Sequence, residues 1–189
     1  IRTAVPDATL RVYYSWKFTE EAMERRPELK EALGPLLAKL RRLFEELKDA
    51  GVTYVGGVDH KTLNEAYRTS GVWAYPPIAF EEIYAISALR AQASGCWPVI
   101  VPTGALPETC KYGTHLFGEF TLEKFAVLVI DTMVNPPSQE EKSKMRAWAS
   151  FSSSASARYI RWKISAWSWS AFPWASRLAT WAFLSRRAA

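Results

Sequence analysis

The chain has 189 residues, 49% of them hydrophobic and 23% charged, which is enough apolar material to bury a core and excludes an intrinsically disordered protein. Two cysteines and two histidines are too few for a disulfide framework or a dedicated zinc site, and no apolar run is long enough to predict a membrane-spanning helix. The net charge of +5 is unevenly distributed, because all 19 acidic residues precede residue 142. A mildly acidic globular part, residues 1–146, is therefore predicted to precede a basic tail, residues 147–189.

The first half of the chain alternates between strand-like and helix-like patterns. β-Branched and aromatic runs predict strands at residues 8–16, 52–58 and 72–77. Between them, apolar residues at helical spacing predict a helix within residues 35–51, and residues 59–71 predict a shorter helix with Asp59 as its N-cap.

The pattern continues downstream. A helix is predicted to begin near Glu82, followed by a strand that begins at Trp97 and a short helix opened by Pro107. Residues 113–120 predict a last short strand, and residues 121–135 a helix that ends before two prolines.

Alternating strands and helices of this length are typical of repeated βαβ units. The pattern predicts an α/β fold with a Rossmann-like, doubly wound parallel sheet. Ligands bind such sheets beyond the carboxyl ends of the strands. The loops at residues 56–57, 76–82 and 103–107 are therefore the candidate ligand-binding loops.

The most specific motif lies in residues 72–109, which contain "AYP", "EEI", "ISAL", "AQASG", "PVIV" and "GALPET" in this order. This string resembles the carboxyl-terminal, donor-binding half of GT-B fold glycosyltransferases, in particular the retaining family 4 group. Weaker similarity extends the resemblance to about residues 8–135.

The resemblance implies a retaining hexosyltransferase that uses a UDP- or GDP-sugar, with no metal cofactor. Its members have two glutamates eight positions apart. Glu82 matches the first, which contacts the transferred sugar or phosphate region and is implied as the catalytic residue. Gly57, Ile83 and Tyr84 are the further donor-binding residues it implies. A helix that begins near Glu82 also suits a diphosphate, because its free N–H groups face an anion.

Arg90 stands where the second glutamate, which accepts hydrogen bonds from the ribose hydroxyls, is expected. A carboxylate accepts two such bonds, whereas a guanidinium only donates. The resemblance also starts downstream of the family's first strand, which carries a diphosphate-clamping Arg and Lys. The expected partners are a nucleotide-sugar and a missing amino-terminal, acceptor-binding domain. A non-catalytic relic or interaction module of the same fold is the alternative function.

Residues 147–189 contain six of the nine tryptophans, many serines and no acidic residue. Helical stripes of aromatic residues, the second of them ending at Trp181, leave three interpretations open. The tail is an amphipathic segment on an anionic membrane, a pair of helices that close the domain, or a poorly ordered product of out-of-frame translation. No motif predicts nucleic-acid binding. We expect a cytoplasmic protein, with peripheral membrane attachment as the alternative.

Overall fold

The computed structural model describes residues 2–77, 82–83, 85–151 and 181–186, and all structural statements below refer to these residues. Within them the chain has a mixed α/β fold with parallel strands, which is compatible with a Rossmann-like domain. The strands are β1 (Ala8–Tyr13), β2 (Val52–Tyr54), β3 (Val72–Tyr75), β4 (Trp97–Ile100), β5 (Thr114–His115) and β6 (Trp181–Arg186). The helices are α1 (Lys17–Arg25), α2 (Pro27–Glu46), α3 (His60–Thr69), α4 (Ile86–Ser94), α5 (Leu106–Thr109), α6 (Leu122–Val134) and α7 (139–151).

The strands form one sheet with the order β2-β1-β6-β3-β4-β5. β1 pairs in parallel with β2, β3 with β4, and β4 with β5. Only β6 is antiparallel, and it pairs with β1 on one side and β3 on the other. The carboxyl ends of the five parallel strands therefore share one edge of the sheet, where the candidate loops lie.

The buried side chains of β3 alternate between the two faces of the sheet. Trp73 and Tyr75 belong to a core formed with α3, α4 and α5, whereas Val72 and Ala74 belong to a core formed with α6. This alternation follows from the two-residue period of a strand and explains why the run is apolar throughout. Helices thus pack against both faces of β3.

Two local predictions are confirmed, the Asp59 cap of α3 and the position of Pro107 in α5, whereas the Thr121 cap of α6 was not predicted. The Asp59 carboxylate accepts a hydrogen bond from the Thr62 amide at 2.7 Å and caps α3. The Thr121 hydroxyl caps α6 in the same way, by accepting from the Lys124 amide. Pro107 lies in the first turn of α5, where its missing N–H costs no hydrogen bond.

Two sequence predictions are wrong. α4 begins at Ile86, four residues after Glu82, because the Glu82 main chain bonds to the loop after β4 instead of starting a helix: its carbonyl oxygen accepts from the Ala105 amide at 2.6 Å. Trp181 was placed on a helical stripe but begins β6, because its backbone pairs with the sheet opposite Tyr13. The rest of both aromatic stripes lies outside the described residues.

Within the described part of the chain, no helix combines the length and the apolarity that crossing a membrane requires.

Candidate functional site

The sequence-predicted site residues lie at the edge of the sheet formed by the carboxyl ends of the parallel strands. Gly57 follows β2, Glu82 and Ile83 follow β3, and Arg90 lies in the second turn of α4. Tyr84 lies outside the described residues. The structure gives Glu82 and Arg90 separate sets of contacts, and Gly57 belongs to neither set.

Glu82 is held by side-chain and main-chain contacts from two strands. The hydroxyl of Tyr75, the last residue of β3, donates a hydrogen bond to Glu82 Oε1. From the other side, the loop after β4 contributes the Ala105 amide, which donates to the Glu82 carbonyl oxygen. Tyr75 therefore holds the carboxylate and the loop after β4 holds the main chain, so Glu82 is fixed between the ends of β3 and β4 although it lies in a loop.

Tyr75 is rigid, and this makes it a good anchor. Its ring is buried and stacks on Trp73, with ring centroids 4.9 Å apart and planes inclined by 15°. Burial, and then the hydrogen bond to Glu82, raise the pKa of the Tyr75 hydroxyl well above its usual value, so the group stays protonated and acts as a donor. Sequence reasoning missed this residue; the "AYP" motif that contains it was the available signal.

Gly104 allows the two loops to approach each other. It has a φ of +54°, and a Cβ added there would lie 2.3 Å from the Glu82 carbonyl oxygen and 2.7 Å from the Glu82 amide nitrogen. Both neighbours are backbone atoms, which cannot rotate away as a side chain would. Any residue other than glycine at this position would displace Glu82.

Gly57 has a similar role on the other side of the edge. A Cβ at this position would lie 2.8 Å from Ser15 Cβ, in the loop after β1. The neighbouring Gly56 has a φ of +85°, which favours glycine. The glycine pair therefore brings the loop after β2 against the loop after β1. None of the contacts of Glu82 or Arg90 given for the described residues involves Gly57.

The Arg90 side chain contacts the start of α3. Its Nη1 lies 3.1 Å from Nδ1 of His60, the first residue of that helix. Since guanidinium donates only, His60 Nδ1 is the acceptor, and the imidazole proton is on Nε2. Arg90 is half-buried, and the bond to His60 gives one of its guanidinium N–H donors a partner.

Ile83 contributes an exposed apolar side chain beside Glu82, with 68% of its surface accessible. Singly exposed apolar side chains are normal at a protein surface, so the exposure of Ile83 alone does not indicate a ligand contact. Its position next to a fixed carboxylate is what makes it a candidate contact.

Three buried residues near the site have structural roles. Cys96 and Cys110 are buried free thiols whose pKa burial raises, so they are poor nucleophiles. Gln92 is fully buried, donates to the Ala88 and Thr109 carbonyls, and accepts from the Tyr112 amide. It ties α4 to α5 beneath the candidate loops.

A cavity of about 610 Å³ lies elsewhere, between α2 and β2. Trp16, Phe44 and Tyr54 line it, with ring centroids 5.2 to 6.5 Å apart, together with the cations Arg41, Arg42 and Lys48. Arg41 and Arg42 are already paired with Glu20 and Glu46. None of the predicted site residues lines this cavity, so it is not part of the candidate site.

No protein-family model matches the chain, and no curated protein matches it significantly. Among the described residues, no three His, Cys, Asp or Glu side chains are grouped so that they could hold a metal ion. The function must therefore be argued from the geometry of the site and from the motif in residues 72–109.

Proposed function

We propose that this chain binds a nucleotide-sugar and takes part in glycosyl transfer, as the donor-binding part of a two-domain, retaining hexosyltransferase of the GT-B type. The donor is a UDP- or GDP-sugar, and no metal cofactor is needed. The finer fold that this implies is a doubly wound, Rossmann-like sheet. The observation that carries the proposal is Glu82, which Tyr75 and the loop after β4 hold at the carboxyl edge of the sheet.

The strand order supports a ligand at this place. β1 leads outward to β2 in one direction, whereas β3 leads to β4 and β5 in the other. In open α/β sheets, ligands bind in the crevice at the point where the strand order reverses, beyond the carboxyl ends. Here the order reverses between β1 and β3, which β6 separates. The loop with Glu82 follows β3, and Gly57, which follows β2, lies against Ser15 in the loop after β1.

Each residue has a physical role in the proposal. The Glu82 carboxylate is an acceptor for the hydroxyl groups of the transferred sugar, and its second oxygen is free of the Tyr75 bond. Gly57 allows backbone to come close to the nucleotide, Ile83 packs beside the donor, and Tyr84 is the further donor-binding residue that the resemblance implies. The acceptor-binding domain is a proposed partner, since a donor site of this kind forms one wall of a cleft.

Calorimetric titration of the chain with UDP and GDP tests the proposal. We expect millimolar or tighter binding of at least one nucleotide. In a second titration with the corresponding nucleotide-sugar, we expect Glu82→Gln to bind more weakly than the wild-type chain. The absence of heat with both nucleotides at millimolar concentration would contradict the proposal.

A second candidate is a non-catalytic module of the same fold, and Arg90 is the observation that favours it. With arginine at the ribose position, nucleotide binding by the family's mode loses two hydrogen bonds. This alternative would be supported if the chain binds nucleotide but neither hydrolyses the nucleotide-sugar nor transfers its sugar. The same result should hold when an acceptor-binding domain is added.

The basic tail supports a third candidate, attachment to an anionic membrane surface. Its six tryptophans and nine cations in residues 142–189 are the supporting observation. Flotation with liposomes that contain an anionic lipid, at low and at high sodium chloride concentration, tests this. Flotation of the chain that is lost at high salt supports attachment. If the chain does not float with the liposomes at either concentration, attachment is contradicted.

A further inference from the structure

The pair formed by Arg90 and His60 presents hydrogen-bond donors at the candidate site. Arg90 Nη1 donates to His60 Nδ1, so the remaining N–H groups of the guanidinium and the Nε2–H of the imidazole are left for other acceptors. None of the ion pairs between described residues includes Arg90, although the side chain is half-buried.

The neighbouring acid does not neutralise this charge. Asp59 lies next to His60 in the chain, but its carboxylate caps α3 by accepting from the Thr62 amide. That bond lowers the pKa of Asp59, so the carboxylate stays ionised at the helix end, and none of the ion pairs between described residues joins it to Arg90. Lys61, on the other side of His60, adds a second cation to the same turn.

The position of the pair points to the part of a nucleotide that it would meet. His60 begins α3 directly after the loop that contains Gly56 and Gly57, and α4 packs against α3. The pair therefore lies at the same edge as Glu82 but is carried by different loops. A nucleotide-sugar with its sugar at Glu82 would extend its nucleoside part along α4, toward Arg90.

We infer that Arg90 and His60 bind a phosphate group carried by the ribose, so that the ligand is a nucleoside 5′-diphosphate phosphorylated on its 2′- or 3′-oxygen. The inference rests on nucleotide binding as proposed above and names its class of nucleotide. In doubly wound folds an acidic residue accepts from the ribose hydroxyls, whereas an arginine in that region accommodates a ribose phosphate. Arginine suits this role because its planar fork donates to two phosphate oxygens at once.

The competing explanation is that the pair only fastens α3 to α4. Both explanations predict that loss of Arg90 lowers stability. Only the phosphate site predicts that Arg90 decides between two nucleotides that differ by one phosphate group, and the experiment is built on this difference.

The full chain is titrated calorimetrically with guanosine 5′-diphosphate and with the same nucleotide phosphorylated on its 3′-oxygen or its 2′-oxygen. We expect one of the phosphorylated forms to bind more tightly, on the order of tenfold, because charge-assisted hydrogen bonds are the strong ones. Arg90→Gln removes this preference and Arg90→Lys keeps part of it. The matched control is Arg68→Gln, which removes the same charge from the other end of α3, where Arg68 pairs with Glu65 at 3.3 Å, and leaves the preference unchanged.

Equal affinity of the wild-type chain for all three nucleotides overturns the inference and leaves the proposed function intact. A preference that survives Arg90→Gln also overturns it. Tighter binding of a phosphorylated form, with weaker but measurable binding of guanosine 5′-diphosphate, supports it. If none of the three binds, and uridine 5′-diphosphate does not bind either, the proposed function fails and the inference fails with it.

Discussion

The Tyr75 hydroxyl donates a hydrogen bond to the Glu82 carboxylate and thereby joins the end of β3 to the loop before α4. The donor is buried and stacked on Trp73, whereas the acceptor is only half-buried. A rigid core side chain thus positions the residue that faces the candidate ligand. The relationship makes Tyr75 a positioning residue and leads to the first prediction.

Tyr75→Phe keeps the stacked ring and removes the hydroxyl. We expect a loss of stability of about 1.5–3 kcal/mol, because the lost bond has a charged acceptor, and weaker binding of the nucleotide-sugar that the chain is proposed to take. Denaturant unfolding and calorimetry measure the two effects. Tyr54→Phe is the control: its hydroxyl donates to the Tyr14 carbonyl at 2.7 Å, away from Glu82, so it should lower stability alone. Unchanged ligand binding in Tyr75→Phe would show that the bond does not position Glu82.

Gly104→Ala should displace Glu82, because the new Cβ would come within 2.3 Å of its carbonyl oxygen and because φ is positive. We expect a destabilisation of about 1–3 kcal/mol from backbone strain. Gly34→Ala is the matched control: this glycine lies within α2 and its added Cβ meets nothing within 4 Å. It should stabilise the chain by about 0.5–1 kcal/mol, since alanine is the better helix former. Thermal unfolding of both variants decides, and equal shifts would contradict the packing argument.

Arg90→Glu restores a carboxylate where the resemblance places the ribose-binding glutamate. We expect tighter binding of unmodified UDP or GDP, by about tenfold if two hydrogen bonds to the ribose are regained. The same variant should bind a ribose-phosphorylated nucleotide more weakly. Calorimetry with both ligands checks that the affinity for the unmodified nucleotide rises while the affinity for the ribose-phosphorylated nucleotide falls. Parallel changes for the two ligands would mean that Arg90 acts through stability and not through ligand contact.

Asp59 predicts a pH dependence of stability. Its pKa is lowered in the folded chain, chiefly by the hydrogen bond from the Thr62 amide. A lowered pKa contributes stability that is fully present above the unfolded value, near 3.8, and is lost as the pH falls through the folded value. Asp59→Asn keeps an N-cap acceptor that does not titrate. The variant should therefore lose less of its melting temperature than the wild-type chain between pH 6 and pH 3. Equal losses would contradict the assignment.

Gln92 predicts a purely structural effect. Its three hydrogen bonds join α4 to the Thr109 carbonyl and the Tyr112 amide in a fully buried place. Gln92→Leu has a similar volume but leaves these backbone groups without a partner, so we expect a loss of about 1–3 kcal/mol. Urea unfolding measures it. A stability within 0.5 kcal/mol of wild type would mean that water replaces the amide.

The sequence determined most of the local structure of this protein. β-Branched and aromatic runs predicted the first three strands, and helical spacing of apolar residues predicted a helix in the region of α2, because burial of one helix face repeats every 3.6 residues. The sequence did not predict α1 (Lys17–Arg25). The N-caps at Asp59 and Thr121 are equally local, since a capping bond spans only three residues. The motif around Glu82 also selected the loops that the structure brings to one edge.

The tertiary structure alone decided the features that depend on contacts between distant residues. It moved the start of α4 to Ile86, because the loop that contains Gly104 competes for the Glu82 backbone. It formed the hydrogen bond between Arg90 and His60, which lie 30 positions apart in the chain, and it placed β6 between β1 and β3. Such choices are settled by hydrogen bonds and close approach between segments far apart in the chain, which no local period records.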